Sequence, residues 1–217
     1  MKQIILRMLQ LICGLILYAV GIVITINANI GYAPWDTFHI GLAKITGLSI
    51  GSISILVGII IGILVILLGE KLGLGTILNM VLIGVFIDII IASKLIPVNH
   101  NFLLGIVMVI IGLFIIAFAS YFYIGSGFGA GPRDSLMVSL NRKTGLSIGI
   151  CRGSIELLAV FIGWWLGGMI GVGTLLSAFF IGFCVQITFR LLKFEPAKIK
   201  HETLKQTYEL LIQNRNS

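Results

Sequence analysis

The chain has 217 residues, 58% of them hydrophobic and 11% charged, with a mean hydropathy of +1.12. Soluble domains carry about 25% charged residues, so this composition argues for a multi-pass membrane protein of the all-α class. The formal charge of +7 is not a nucleic-acid signature, because much of it sits in the C-terminal tail and at the ends of apolar runs, where a positive-inside bias puts it.

In chain order, Lys2 precedes an apolar run from Ile4 to Ile26 and Arg7 lies in its first turns. This imitates a signal peptide, but the run is too long for a signal core and reads as a retained first span. Segment 27–46 then breaks the pattern with Asn27, Asn29 and Gly31 before Pro34. Proline suits the first helical position, so a helix of about thirteen residues follows, roughly 20 Å long. That is short of the roughly 30 Å hydrocarbon layer. Segment 50–69 spans fully with Ser49 as its N-cap, and a Gly-rich turn, Gly69 to Gly75, leads into a span over 75–96.

The pattern then recurs 98 positions later. Gly31-Tyr32-Ala33-Pro34-Trp35-Asp36-Thr37 is echoed by Gly129-Ala130-Gly131-Pro132-Arg133-Asp134-Ser135, and Thr46-Gly47-Leu48-Ser49-Ile50-Gly51 by Thr144-Gly145-Leu146-Ser147-Ile148-Gly149. The matching segments are 102–124, 125–144, 148–167 and 174–194. Fixed-period self-similarity implies a transmembrane bundle of two tandem repeats, each with one broken or short helix. Residues 1–98 form the first membrane repeat and 99–194 the second. The tail, 195–217, reads as a cytoplasmic amphipathic helix, with Leu204, Tyr208, Leu211 and Ile212 at helical spacing among Lys198, Lys200, Lys205 and Arg215.

Whether the short helices cross decides the symmetry. Full crossing makes the repeats parallel; dipping and returning makes them inverted. The Lys and Arg counts per side do not separate the two. The match of Lys44 with Arg142-Lys143, and of Lys94 with the neighbourhood of Lys193, favours parallel repeats. Either way both termini lie in the cytoplasm.

Two broken helices at matching positions of two halves point to a transporter's central site, and Trp35, Asp36, His39, Arg133 and Asp134 are the candidate binding residues. The bland role for the aspartates is to satisfy free backbone N–H groups at the third helical position. Arg133 near two helix N-termini points to a solute with an anionic group; its bland role is pairing with Asp36 or Asp134, or placement at the interface. Asp88, Arg152 and Glu156 are ionisable groups inside spans, which are costly in lipid and default to functional hypotheses. They are candidates for proton or ion coupling, with Arg152 and Glu156 four apart on one helical face and able to pair. No metal or cofactor is implied. Cys13, Cys151 and Cys184 lie in apolar runs without ligand spacing and read as packing residues. No catalytic signature appears, so an enzyme is not expected.

The corner Gly31 to Thr37, the stretch Thr46 to Gly51, and Gly73-Leu74-Gly75-Thr76 leading to Asn79 and Asp88 together resemble the YczE/YyaS/YitT family of bacterial integral membrane proteins, over most of residues 1–194. The resemblance implies the bacterial cytoplasmic membrane and brings no catalytic residues. The leading expectation is a small-solute transporter or permease with a site between the repeats. A non-transporting scaffold acting through the tail, or a lipid-handling protein, is the competing class. The lipid bilayer is the expected partner and a homo-oligomer stays open.

Overall fold

The computed structural model describes residues 2–213. These form α1 (Lys2–Asn27), α2 (Pro34–Thr46), α3 (Ile50–Leu67), α4 (Leu74–Ser93), α5 (Phe102–Gly125), α6 (Pro132–Thr144), α7 (Ile148–Trp165), α8 (Val172–Leu191) and α9 (Leu204–Gln213), with a 3-10 turn at Pro196–Lys198. Six of them, α1, α3, α4, α5, α7 and α8, are long and apolar enough to cross a membrane. The starts of α2, α3 and α4 recur 98 residues later as the starts of α6, α7 and α8. The punctuation is local chemistry. Pro34 and Pro132 open the short helices, and Gly47 and Gly145 close them in the left-handed conformation. The hydroxyls of Ser49 and Ser147 accept from the backbone N–H groups of Ser52 and Ile150.

α1 and α5 form the central pair. Leu11, Leu15, Ala19 and Val23 recur every fourth residue, share one helix face and are fully buried. Small residues let the two backbones approach closely, the usual means of helix association where lipid removes a hydrophobic drive. Gly14 abuts Tyr123 while Gly21 abuts Gly112, and Tyr18 Oη bonds Ser120 Oγ at 2.5 Å. The two helices therefore run antiparallel. The first face of the molecule holds the start of α1 and the end of α5; the second face holds the end of α1 and the start of α5.

The short helices do not cross. Trp35, at the start of α2, meets Arg133, at the start of α6, so both begin in the interior. Lys44, in the last turn of α2, donates to the Gly167 carbonyl beyond α7 at 2.6 Å. Arg142, in the last turn of α6, donates to the Leu68 carbonyl and pairs with Glu70 beyond α3, both at 3.1 Å. Each short helix thus returns to the face its loop entered from. The two halves are inverted, which overturns the parallel arrangement favoured by the lysine matches. Lys44 and Arg142 are each answered by a carbonyl at a helix end, a local role that carries no information about sidedness.

Non-helical backbone at membrane depth has to be satisfied by protein, and here each dip is sewn to a helix start of the opposite half. Gly173 N–H donates to the Ile30 carbonyl at 2.8 Å, and Gly75 N–H to the Phe128 carbonyl at 2.7 Å, the same bond 98 residues apart. Gly31 (φ 114°) and Gly129 (φ 120°) are held left-handed against the backbones of Gly171 and Gly73, where no Cβ would fit.

The tail docks on the first face. Arg7 pairs with Glu202 at 2.6 Å and donates to the Ser126 carbonyl. Glu202 N–H donates to the Gly127 carbonyl and Leu204 N–H to that of Leu72. Along α9, Leu204, Tyr208 and Ile212 are exposed. The side chain of Leu211, and Arg215, lie outside the described residues.

Candidate functional site

Where α2 and α6 begin, the two halves enclose a cavity of about 520 Å³. Trp35, Asp36, Arg133, Asp134, Arg152 and Glu156 all line it, so six of the eight residues singled out by sequence converge on one space. Apolar walls come from Ile83 of α4, Leu113 and Ile116 of α5, and Ile181 and Val185 of α8.

Arg133 sits at the middle. Its guanidinium carbon lies 4.5 Å from the centroid of the Trp35 ring, a cation–π contact worth about 2 kcal/mol when desolvated. Its Nη2 is 3.4 Å from His39 Nε2. His39 is itself buried (1% exposed) and supports Arg133 from behind the cavity wall. No carboxylate comes within ion-pair distance of Arg133 among the described residues. The salt bridge of Arg133 to Asp36 or Asp134 is therefore not found. The capping role of the aspartates is also not found: among the described residues no backbone N–H donates to either carboxylate, and the starts of α2 and α6 lack a side-chain cap. Arg152 and Glu156 do pair, Nε to Oε1 at 2.8 Å.

Asp88 is reassigned. It lies outside the cavity, at the seam between α3 and α4, where one carboxylate oxygen accepts from Ser49 Oγ at 2.5 Å and the other from Gly51 N–H at 2.8 Å. Satisfied by two donors, it latches a helix seam rather than facing a path.

Sequence reasoning missed Tyr18, Ser120, Tyr123 and Ser177, which also line the cavity. Tyr123 Oη and Ser177 Oγ are buried without a hydrogen-bond partner among the described residues. Tyrosine or serine within an apolar span is a weak signal alone; what singles these out is that they meet in one cavity.

The two seams that flank the cavity differ. Between α3 and α4, Gly51 and Gly84 pack backbone to backbone, and a Cβ at Gly84 would lie 2.5 Å from the Gly51 carbonyl oxygen. At the corresponding positions of α7 and α8, Gly149 and Gly182, a Cβ would meet nothing within 4 Å, and the same holds at Gly153. α7 and α8 barely touch, whereas α3 and α4 pack along their length. Gln186 stands where Asp88 would be and makes no bond to Ser147 or Gly149. Asp134, Arg152 and Gln186 are accordingly exposed while Asp36 and Gly84 are buried. The open seam joins the first half of α7 to the last half of α8, the part of the molecule nearer the first face.

These features define a polytopic helical membrane protein with two re-entrant corners meeting at an internal polar cavity. Residues 5–190 match the family of unknown function DUF6198, and the chain belongs to that family. It is similar to the uncharacterized membrane protein YczE of Bacillus subtilis (strain 168), 37% identical over 189 residues, covering 86% of this chain and 87% of that protein. An uncharacterized protein of Haemophilus influenzae is 32% identical over 176 residues, covering 81% of this chain and 80% of its own. Uncharacterized protein YyaS of B. subtilis is 27% identical over 167 residues, covering 76% and 83%. No solved structure matches the chain.

Proposed function

We propose that this protein is a small-solute transporter of the bacterial cytoplasmic membrane, built from a duplicated unit whose two copies serve as alternating gates. It is not an enzyme on this reading, and both termini lie in the cytoplasm, on the first face. The observation that carries the reading is the inequality of the two seams around one cavity. The α3–α4 seam is shut by glycine contact and by the Asp88 latch. The α7–α8 seam has glycines at the matching positions with empty space in front of them. Glycine in a helix costs about 1 kcal/mol against alanine, so three glycines that touch nothing in one state have a use in another. Closing α7 onto α8 would use them. Opening α3 from α4 would then expose the same cavity to the second face, as inverted halves allow.

Flux into proteoliposomes tests this. Uptake of at least one member of a broad solute panel, abolished by filling the open seam with a large side chain at Gly182, is expected. No uptake of any solute, with or without a pH gradient, would defeat it. A scrambling assay on the same vesicles tests the lipid-handling alternative, for which the α7–α8 opening is the relevant feature.

A further inference from the structure

Resting on that reading, the charges in the cavity indicate what it carries. Three carboxylates, Asp36, Asp134 and Glu156, and two guanidinium groups, Arg133 and Arg152, line it. Arg152 and Glu156 neutralise each other. What remains is two unpaired aspartates against one arginine, a surplus of one negative charge when all are ionised. Arg133 by itself points to an anion; counted with its neighbours it does not. Asp36 is the buried member of the two, and an uncompensated charge away from bulk water is expensive and acquires a partner or a proton. The site is built to bind. Among the described residues, Asp36 (6% exposed) is buried and makes no hydrogen bond, and Tyr123 Oη and Ser177 Oγ line the same space, buried and unpartnered. The facing walls are aliphatic, which suits an apolar body next to the charged group.

We infer that the solute is a monovalent organic cation with an apolar body, bound by Asp36 and Asp134 in exchange for one proton. Cation and proton each cancel the same surplus charge, so the cavity holds one or the other. The titratable and charged groups facing the two aspartates are Tyr18 on α1, His39 on α2, Tyr123 on α5, Arg133 on α6, the Arg152–Glu156 pair on α7, and His201 in the tail near Asp134. α3, α4 and α8 present only uncharged side chains to the cavity.

Calorimetric titration of the full-length protein in detergent with benzyltrimethylammonium, against phenylphosphonate as the anionic counterpart, tests the inference. Running it in buffers of different ionisation enthalpy counts the protons released. The cation is expected to bind with net proton release in mildly acidic buffer that fades as the pH rises, and the phosphonate not to bind. Asp36→Asn and Asp134→Asn weaken cation binding. Arg133→Gln strengthens it roughly tenfold, the scale of one unit charge across a partly hydrated cavity. A misfolded variant cannot imitate that gain. Preferential binding of phenylphosphonate, cation binding without proton release, or weaker binding by Arg133→Gln would each overturn the inference while leaving a transporter in place. Failure of both probes to bind, together with absent flux, would remove the transporter reading as well.

Discussion

Substituting alanine at Gly84 and at Gly182 makes the same chemical change at matched positions of α4 and α8, and the two seams predict opposite outcomes. At Gly84 the new methyl would sit 2.5 Å from the Gly51 carbonyl oxygen and 2.6 Å from Ile55 Cγ1. The first of these neighbours is backbone, so the helices must part. Overpacking of this kind costs about 1–3 kcal/mol. At Gly182 nothing lies within 4 Å, and no such cost arises. Both variants gain the same helix propensity, about 0.8–1.0 kcal/mol, so the difference between them isolates the seam. It should be about 1–3 kcal/mol, or roughly 3–10 °C in unfolding midpoint for a chain of this size. Thermal unfolding of both variants in one detergent, followed by circular dichroism, reads it. Equal midpoints, or a Gly182→Ala variant less stable than Gly84→Ala, would refute the account of one shut and one open seam.

Other outcomes follow from the same geometry. Gly182→Leu should leave the unfolding free energy within about 1 kcal/mol of the parent yet abolish flux in proteoliposomes, because the seam can no longer close. Asp88→Asn should cost about 1–3 kcal/mol by weakening two hydrogen bonds to a charged acceptor, and should raise the reactivity of a cysteine placed at Ser54, in the cavity wall on α3, toward reagents on the second face. Burial holds the His201 imidazole below its ordinary value of 6.5, with Asp134 opposing in part. The released tail therefore binds more protons than the docked one, and docking weakens as pH falls through about 6.5. Limited proteolysis should cut the tail faster at about pH 5.5 than at neutral pH, and His201→Gln should remove most of that difference.

Helix limits were legible in the sequence because they are set by local chemistry: Pro34, Pro132, Ser49, Ser147, Gly47 and Gly145 act within a turn or two of themselves. The convergence of Trp35, Asp36, Arg133 and Asp134 was legible for a related reason, since two broken helices at membrane depth have few places to go. The symmetry was not. A helix of 13 residues is compatible with dipping or with a tilted crossing, and Lys44 suits a helix C-terminus in either case. Asp88 misled because an acid in an apolar span looks the same whether it faces a path or latches Ser49 and Gly51. The inequality of the seams was invisible because Gly84 and Gly182 are the same residue. Only the packing of α7 away from α8 tells them apart.

The central claim, that two re-entrant corners from inverted halves meet at one cavity, is tested most directly at the loops that follow α2 and α6. Leu48 and Leu146 are both exposed there. Cysteines placed at these positions, in a background with Cys13, Cys151 and Cys184 replaced, can be labelled with a membrane-impermeant maleimide in vesicles of known sidedness. The account predicts labelling of the Leu146→Cys protein from the face that carries the termini and of the Leu48→Cys protein from the opposite face. Labelling of both from one face would mean that α2 and α6 cross, and would contradict it.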